Sequence, residues 1–505
     1  MSAEGANRSG FDRALILVSG VVVLGAIMSI LDTTIVNIAI DRLSVEFHTS
    51  LSTIQWVTTG YMLALATVIP LTGWAADRFG TKRLYMTSIG LFLIGSALSG
   101  AAWSAGSLIA FRILQGLGGG MILPAGMTIL TQAAGPRRIG RVMSVVGVPM
   151  LMGPVIGPIL GGWLVDDVSW RWIFYVNLPI GALALPFAYR VLPRDRPEPS
   201  QRLDVLGLCL LSPGLALLVY GLAETATQGG FGAARVLVPL LTGAALLGGF
   251  AWHALRARQP LIDLRLFRNR TVTAGATTSF LFATAFFGAM LLLPLYYQTV
   301  RGESALTAGL LLAPQGLGAA LMMPIAGKIV DKRGPGKVVL FGLALIVAGM
   351  AVLTQVGADT SYVLLGATLF VLGLGMGSTM MPAMTAALQT LSRPAVPRAT
   401  SALNIIQRVG GSLGTALLAV ILQHELTSRI PSASGGGLGA VQSAGRHMSA
   451  STGQILADSF GHTFWWAVAL CAAAAIPAFF LPRRPPAEEP VAPAEEEAES
   501  VAVPV

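Results

Sequence analysis

Apolar residues in this chain run together in stretches of about twenty, separated by short polar or basic connections, with no sustained alternation. A hydrocarbon layer about 30 Å thick is crossed by a helix of roughly 20 apolar residues, so each stretch predicts a spanning helix. The first half gives 14–40, 53–73, 84–102, 105–129, 141–165 and 172–191, followed by 203–223 and 235–255. The second half gives 272–298, 305–328, 337–357, 361–386, 400–424 and 461–481. The pattern predicts an all-α polytopic membrane protein with fourteen transmembrane helices. The first stretch is too long for the apolar core of a signal peptide and reads as a mature helix.

Composition agrees and charge adds orientation. Of the 505 residues 54% are hydrophobic and 11% charged, whereas a soluble protein carries about 25% charged residues. The net charge of +9 would suggest a nucleic-acid partner if its basic residues clustered on one soluble face. Sorted by loop with the N-terminus inside, 25 of the 33 Lys and Arg fall in the inner set. Only Arg42, Arg171, Arg235, Arg301, Arg429 and Arg446 fall outside, while Arg112 and Arg408 lie within helices. A missed helix would scramble this alternation. It predicts cytoplasmic termini and removes the nucleic-acid reading. Two cysteines, Cys209 and Cys471, both read as small buried hydrophobes, and five histidines without a Cys/His/Asp cluster argue against a metal enzyme. No G-x4-G-K-[ST] occurs, which argues against ATP drive, and no cofactor is implied. The segment 425–460 predicts a long external loop. The Pro/Ala/Glu-rich tail 482–505 cannot bury a core and reads as a disordered cytoplasmic end.

The chain repeats itself. Gly73, Asp77 and Gly80 form G-x3-D-x2-G, which recurs 254 residues later as Gly327, Asp331 and Gly334. A glycine run ending in Pro124-Ala125 recurs in a run ending in Pro382-Ala383. These pairs map segments 1–6 onto 9–14 and leave 7 and 8 as an insertion. The predicted organisation is a cytoplasmic N-terminus (1–13), an N-terminal six-helix bundle (14–191), two inserted helices (203–255), a C-terminal six-helix bundle (272–481) and the tail. Parallel six-helix repeats are a transporter architecture with a substrate site near the midplane between halves.

Ordered motifs carry a family resemblance. They are Leu31-Asp32 through Asn37 and Ala39, Gln55-Trp56 with Tyr61, Gly73 through Arg83, Arg112 with Gln115-Gly116, and Gly147 through Gly162. Trp170 through Gly181, Pro294 through Gln298, and Gly410 through Gly414 complete the series. Together they resemble the major facilitator superfamily, specifically its fourteen-helix drug:proton antiporter branch (EmrB/QacA-type). One departure is Gln407-Arg408, where relatives commonly read Arg-Gln. The resemblance implies the major facilitator fold and a bacterial cytoplasmic (inner) membrane location. It also implies a proton-coupled exporter of a small lipophilic, in one version cationic, substrate. Symport for uptake, and a non-transporting sensor or scaffold, stay open as alternatives. An enzyme is disfavoured, because no nucleophile/base pair is visible.

A carboxylate at bilayer depth is costly unless it pairs or meets water, so it marks function by default. Asp32 lies roughly 7 Å outward of the middle of segment 1, and Arg112 of segment 4 lies at about the same depth. A water-accessible Asp32–Arg112 neighbourhood would balance burial, which raises a carboxylate pKa, against a cation, which lowers it. The competing reading is a permanent ion pair locking two helices. For Gly73, Asp77, Arg78, Gly80 and Arg83 the resemblance implies a conformational latch, with Asp77 beside the start of helix 3 and basic neighbours able to bridge the bundles; a positive-inside loop and nothing more is the alternative. Gly147, Gly153, Pro154, Gly157 and Gly161 predict a bent, closely packed interface helix; its link to antiport comes from the resemblance. Asn37, Trp56, Tyr61, Gln115, Tyr296, Tyr297, Gln298 and Asn404 are candidate cavity liners. Glu224 reads as an interfacial acid, and Arg408 as a snorkelling, packing or coupling residue.

Overall fold

The computed structural model describes residues 13–135, 138–194, 202–228, 230–392, 395–429 and 450–484. Among these, no strand occurs and each of the fourteen apolar stretches falls on a helix. In the first half they are α1 (Arg13–Ile35), α2 (Trp56–Val68 and Leu71–Phe79), α3 (Thr81–Gly100), α4 (Ala105–Ala134), α5 (Ile139–Trp163) and α6 (Asn177–Val191, preceded by Trp172–Tyr175). The inserted pair is α7 (Val205–Gln228) and α8 (Ala234–Arg256). The second half has α9 (Arg270–Thr299), α10 (Ala313–Arg333, preceded by Ala305–Leu311), α11 (Pro335–Leu353), α12 (Tyr362–Gln389), α13 (Val396–Arg429) and α14 (Ala450–Ala478). Eleven of these spans are long and apolar enough to cross a membrane, or twelve if the two pieces of α2, bent by 56°, count as one. α3, of 20 residues, and α5, of 25, complete the set.

Several boundaries move. The first apolar stretch breaks after Ile35 into a 3-10 turn (Val36–Ala39) and a short helix (Ile40–Glu46). α13 and α14 extend into the predicted external loop as far as Arg429 and from Ala450, and the rest of that loop lies outside the described residues. So do the tail beyond 484 and the N-terminal residues before 13. Cys471 is buried as predicted, whereas Cys209 is exposed on the side of α7. A weakly polar thiol costs little on the apolar outer wall of a spanning helix.

The repeat seen in sequence is a repeat in packing. α4 packs on α2 and α3 as α12 packs on α10 and α11, and α1 meets α5 and α6 as α9 meets α13 and α14. Small residues permit these approaches. A Cβ on Gly118 of α4 would stand 2.5 Å from the Phe92 backbone nitrogen of α3, and one on Gly375 of α12 would stand 2.7 Å from the Gly342 oxygen of α11. With little hydrophobic drive between helices in lipid, such close packing is what holds a bundle together. The halves meet through α5 against α10 and through the lower part of α2 against α13, two contacts related by the same repeat. α7 lies across α2 and α13, joining Leu211 and Leu215 to Ala66 and Ala402. Asp204 fixes the start of α7 by accepting from the Gly207 and Leu261 amides and meeting His253 Nε2 at 2.8 Å.

Gly80 and Gly334 each end one helix and begin the next, at φ 91°, ψ 151° and φ 81°, ψ 161°. That region is essentially restricted to glycine, and a side chain there costs about 1–3 kcal/mol. Gly80→Ala should therefore lower the thermal unfolding midpoint of purified protein, while Gly90→Ala, where a Cβ meets nothing within 4 Å, should change it far less.

Candidate functional site

The N-terminal bundle closes around one charged pair. Arg112 NH1 on α4 donates to Asp32 Oδ2 on α1 at 2.6 Å, and both residues are 0% exposed. Gln115, one turn along α4, bridges them: its Oε1 accepts from Arg112 at 2.7 Å and its Nε2 donates to Asp32 Oδ1 at 2.7 Å. Asn177 at the start of α6 donates to the same Oδ1 at 3.3 Å and to Ser96 Oγ of α3 at 3.0 Å. Ser96 in turn donates to the Phe174 carbonyl at 2.8 Å. Arg112 Nε donates to the Val57 carbonyl of α2, and its guanidinium lies 3.9 Å from the Tyr61 ring centre. Four helices thus meet at one carboxylate and one guanidinium, and α3 reaches them through Asn177.

Such a network is stable only if its members are satisfied, because an uncompensated buried charge costs several kcal/mol. Here the carboxylate accepts three hydrogen bonds, two of which would survive its neutralisation by a proton. The sequence predicted a water-accessible neighbourhood; in this conformation the pair is closed from water. Gln115, read from sequence as a cavity liner, is a member of the network. Asn177 carried a motif but no assigned role, and Ser96 was missed, since a serine in an apolar helix has no distinguishing sequence signal.

At the basic end of the bundle a second arrangement spans the halves. Asp77 Oδ2, in the last turn of α2, stands 3.4 Å from Arg398 Nε of α13. Its repeat equivalent Asp331, in the last turn of α10, accepts from the Gly140 and Arg141 amides of α5 at 3.0 and 3.3 Å, with Arg141 Nε at 3.8 Å. The first glycine of each motif makes room. A Cβ on Gly73 would lie 3.1 Å from Arg398 Cα, and one on Gly327 would lie 2.8 Å from the Gly140 oxygen. The motif therefore has three separable jobs: close approach, an acid aimed at the first turn of the opposite helix where the dipole favours it, and a glycine-only turn. Asp77 sits at the end of α2 and not at the start of α3, and the base it pairs with across the bundles is Arg398. Arg78 is partly buried and Arg83 exposed.

α5 carries small residues on two sides. Gly147 faces Met323 of α10 and Met381 of α12, while Gly153, Gly157 and Gly161 face Ile30, Thr34 and Ile35 of α1. The side chains of Pro154 and Asn37 lie outside the described set. The remaining candidates scatter. Trp56 is 42% exposed and stacks on Tyr220 of α7, with centres 5.9 Å apart. Tyr296 donates to the Gly357 carbonyl at 2.7 Å and packs on Phe460, so it secures the loop after α11. Tyr297 is buried beside it and Gln298 is partly exposed. Asn404 of α13 donates to Thr400 O and reaches Met127 Sδ of α4 at 3.7 Å, which places it between the halves. Glu224 is partly exposed one turn after Tyr220. Among the described residues, an apolar pocket lies inside the C-terminal bundle around Phe282, Phe286, Met350, Met376 and Cys471, away from the Asp32 network.

Comparison with known proteins agrees with this architecture. The Major Facilitator Superfamily profile matches residues 22–415. The chain is 44% identical over 491 residues to the multidrug resistance protein B homolog of Mycobacterium tuberculosis (strain ATCC 25618 / H37Rv), covering 94% of this chain and 91% of the relative. It is 31% identical over 411 residues to the tetracenomycin C resistance and export protein of Streptomyces glaucescens, covering 81% and 76%. The crystal structure of the human organic anion transporter MFSD10 (TETRAN) superposes with a TM-score of 0.61 at 16% identity, covering 90% of this chain and 99% of that one, a likeness of fold. The two repeated bundles, their repeat-related contacts and these matches make the chain a member of the major facilitator superfamily of membrane transporters.

Proposed function

We propose that this chain is a proton-coupled exporter that exchanges protons entering the cell for a small lipophilic compound leaving it. The observation that carries the reading is the Asp32–Arg112 pair, 0% exposed and held by the side chains of Gln115 and Asn177. Protonation of Asp32 removes the charge that holds Arg112. The guanidinium is then left with Gln115 Oε1, the Val57 carbonyl and the Tyr61 ring. α1 and α4 are thereby less tightly bound, and the bundle can move against its partner. A pH gradient supplies about 1.4 kcal/mol per unit, and the membrane potential about 2.3 kcal/mol per charge per 100 mV.

The positive-inside alternation sets the basic end, where Asp77 and Asp331 join the halves, in the cytoplasm of a bacterial cell. This conformation is then closed to the cytoplasm, and the two bundles alternate access by rocking. Export of drugs or natural products is supported by relatives whose names refer to multidrug resistance and to tetracenomycin C export.

The test is cellular. Expression should lower the steady-state content of at least one lipophilic compound, and a protonophore should restore it. Expression that raises content under the same conditions would establish uptake by symport instead. Tight binding without any change in flux would point to a sensor.

A further inference from the structure

α2 touches both arrangements described above, and it is broken between them. Its outer piece carries the Val57 carbonyl that accepts from Arg112 and the Tyr61 ring against the guanidinium. Its inner piece carries Gly73 and Asp77, which meet Arg398 of α13. The pieces join at Ile69 and Pro70 with a bend of 56°. Proline has no amide to return to Ala66, and the last carbonyls of a helix lose their partners within the chain. The Leu65 carbonyl is taken up by the Ile69 amide at 3.2 Å. The Thr67 carbonyl is taken up by another helix: Ser212 Oγ of α7 donates to it at 2.6 Å.

The direction of the Ser212 hydroxyl sets it apart. Ser88, Ser144 and Ser401 are comparably buried, and each gives its hydroxyl to the carbonyl four residues earlier in its own helix, as serine commonly does inside a helix. Ser212 gives its hydroxyl to the break in α2. Around this bond Leu211 and Leu215 of α7 cluster with Ala66 from the outer piece of α2, Trp74 from the inner piece and Ala402 of α13. Ala402 lies one turn after Arg398, so α7 rests on both helices that the Asp77–Arg398 pair joins. α7 is itself held firmly. Gly243 of α8 packs so closely on it that a Cβ would stand 2.8 Å from the Leu218 amide nitrogen, and Asp204 ties its first turn to His253 and to the Leu261 amide. A braced hairpin thus holds the bend that lies between the Asp32–Arg112 pair and the Asp77 contact.

Resting on the reading of the chain as an exporter whose bundles rock, we infer that the inserted pair is a working part of transport, with Ser212 as the positioning residue for the α2 hinge. Its bond to the Thr67 carbonyl holds α2 at the bend of the cytoplasm-closed conformation. When Arg112 is released, the outer piece of α2 is freed, and the inner piece follows only as far as this hinge allows. Ser212 thereby sets how readily a change at Asp32 reaches the Asp77 contact. The two helices that have no counterpart in the repeat gain a role beyond linking its halves.

The test uses the full chain in lipid nanodiscs, with spin labels in the α2–α3 and α10–α11 loops of a cysteine-free background and no pH gradient. Ser212→Ala should lengthen the distances, raising the ratio of open to closed molecules about fivefold, the scale of one hydrogen bond. Ser212→Thr keeps a hydroxyl and should retain the wild-type distribution. Ser212→Val has the shape of threonine without its hydroxyl and should behave as Ser212→Ala. Ser88→Ala removes a buried hydroxyl bonded within α3 and should leave the distances unchanged. A serine with a structural role alone would lower the thermal midpoint on replacement and leave the distances as they were. That result, or equal shifts in Ser212→Ala and Ser88→Ala, would overturn the inference. The distances are read without a gradient, so the two readings fail separately. Longer distances in Ser212→Ala, in a protein without proton-driven flux, would remove the export reading and leave the hinge. Proton-driven flux together with wild-type distances in Ser212→Ala would do the reverse.

Discussion

Asp32→Asn is expected to reduce gradient-driven transport on the order of a hundredfold or more, the scale seen when a proton-transferring group is removed. Asn keeps the shape and an oxygen for Gln115 but binds no proton. It also leaves the Arg112 charge buried without its partner, a loss worth about 3–5 kcal/mol, so purified Asp32→Asn should unfold at lower temperature. The double variant Asp32→Asn/Arg112→Gln separates the two consequences. With no unpaired charge left it should regain much of the lost stability, and the non-additivity measures the pair. It should not regain the response to a pH gradient. If stability and drive recover together, the pair is a structural lock and the proton is carried elsewhere.

The second large effect is expected at the repeat-related contacts between halves. Asp331 holds two backbone amides and Arg141, with its side chain 6% exposed, while Asp77 holds Arg398 at 3.4 Å, with its side chain 14% exposed. Hydrogen bonds to a charged group contribute about 1.5–3 kcal/mol, so losing one site shifts the closed population by roughly tenfold or more. Asp331→Asn should act more strongly than Asp77→Asn, and the double variant should open the cytoplasmic end in most molecules. Spin labels in the α2–α3 and α10–α11 loops of a cysteine-free background would read this as a change in distance distribution. Longer distances are expected in the order wild type, Asp77→Asn, Asp331→Asn, double variant. A double variant with the wild-type distribution would show that these contacts do not set the conformation.

The bundles were legible because their signal is collective: each span needs a run of apolar residues, and the basic residues repeat on alternate loops. Asp32 and Arg112 were legible for the converse reason, as charges in segments that exclude them. What surrounds them was not. Gln115 faces the pair because it lies one turn from Arg112, but Asn177 and Ser96 reach it only through the way α3 and α6 pack. For Trp56 and Tyr296 the structure adds neighbours that sequence does not show. Their size and polar edge suited a cavity, yet one rests on α7 and the other on the loop after α11, and no local pattern distinguishes those neighbours. The acid of the second G-x3-D-x2-G motif was visible only as a repeat. Its partners, the first amides of α5, are backbone groups and leave no mark in a sequence.

The central claim, that Asp32 exchanges the proton that drives export, is tested most directly by imposing a pH gradient on proteoliposomes containing the full chain. The cargo is a compound identified by protonophore-sensitive efflux from cells. Wild-type protein should move that compound against its own gradient in the direction opposite to proton flow. Asp32→Asn should show no gradient-driven movement, while still exchanging compound across the membrane without net drive. Gradient-driven movement by Asp32→Asn at the wild-type rate, or wild-type movement in the same direction as the protons, would contradict the account.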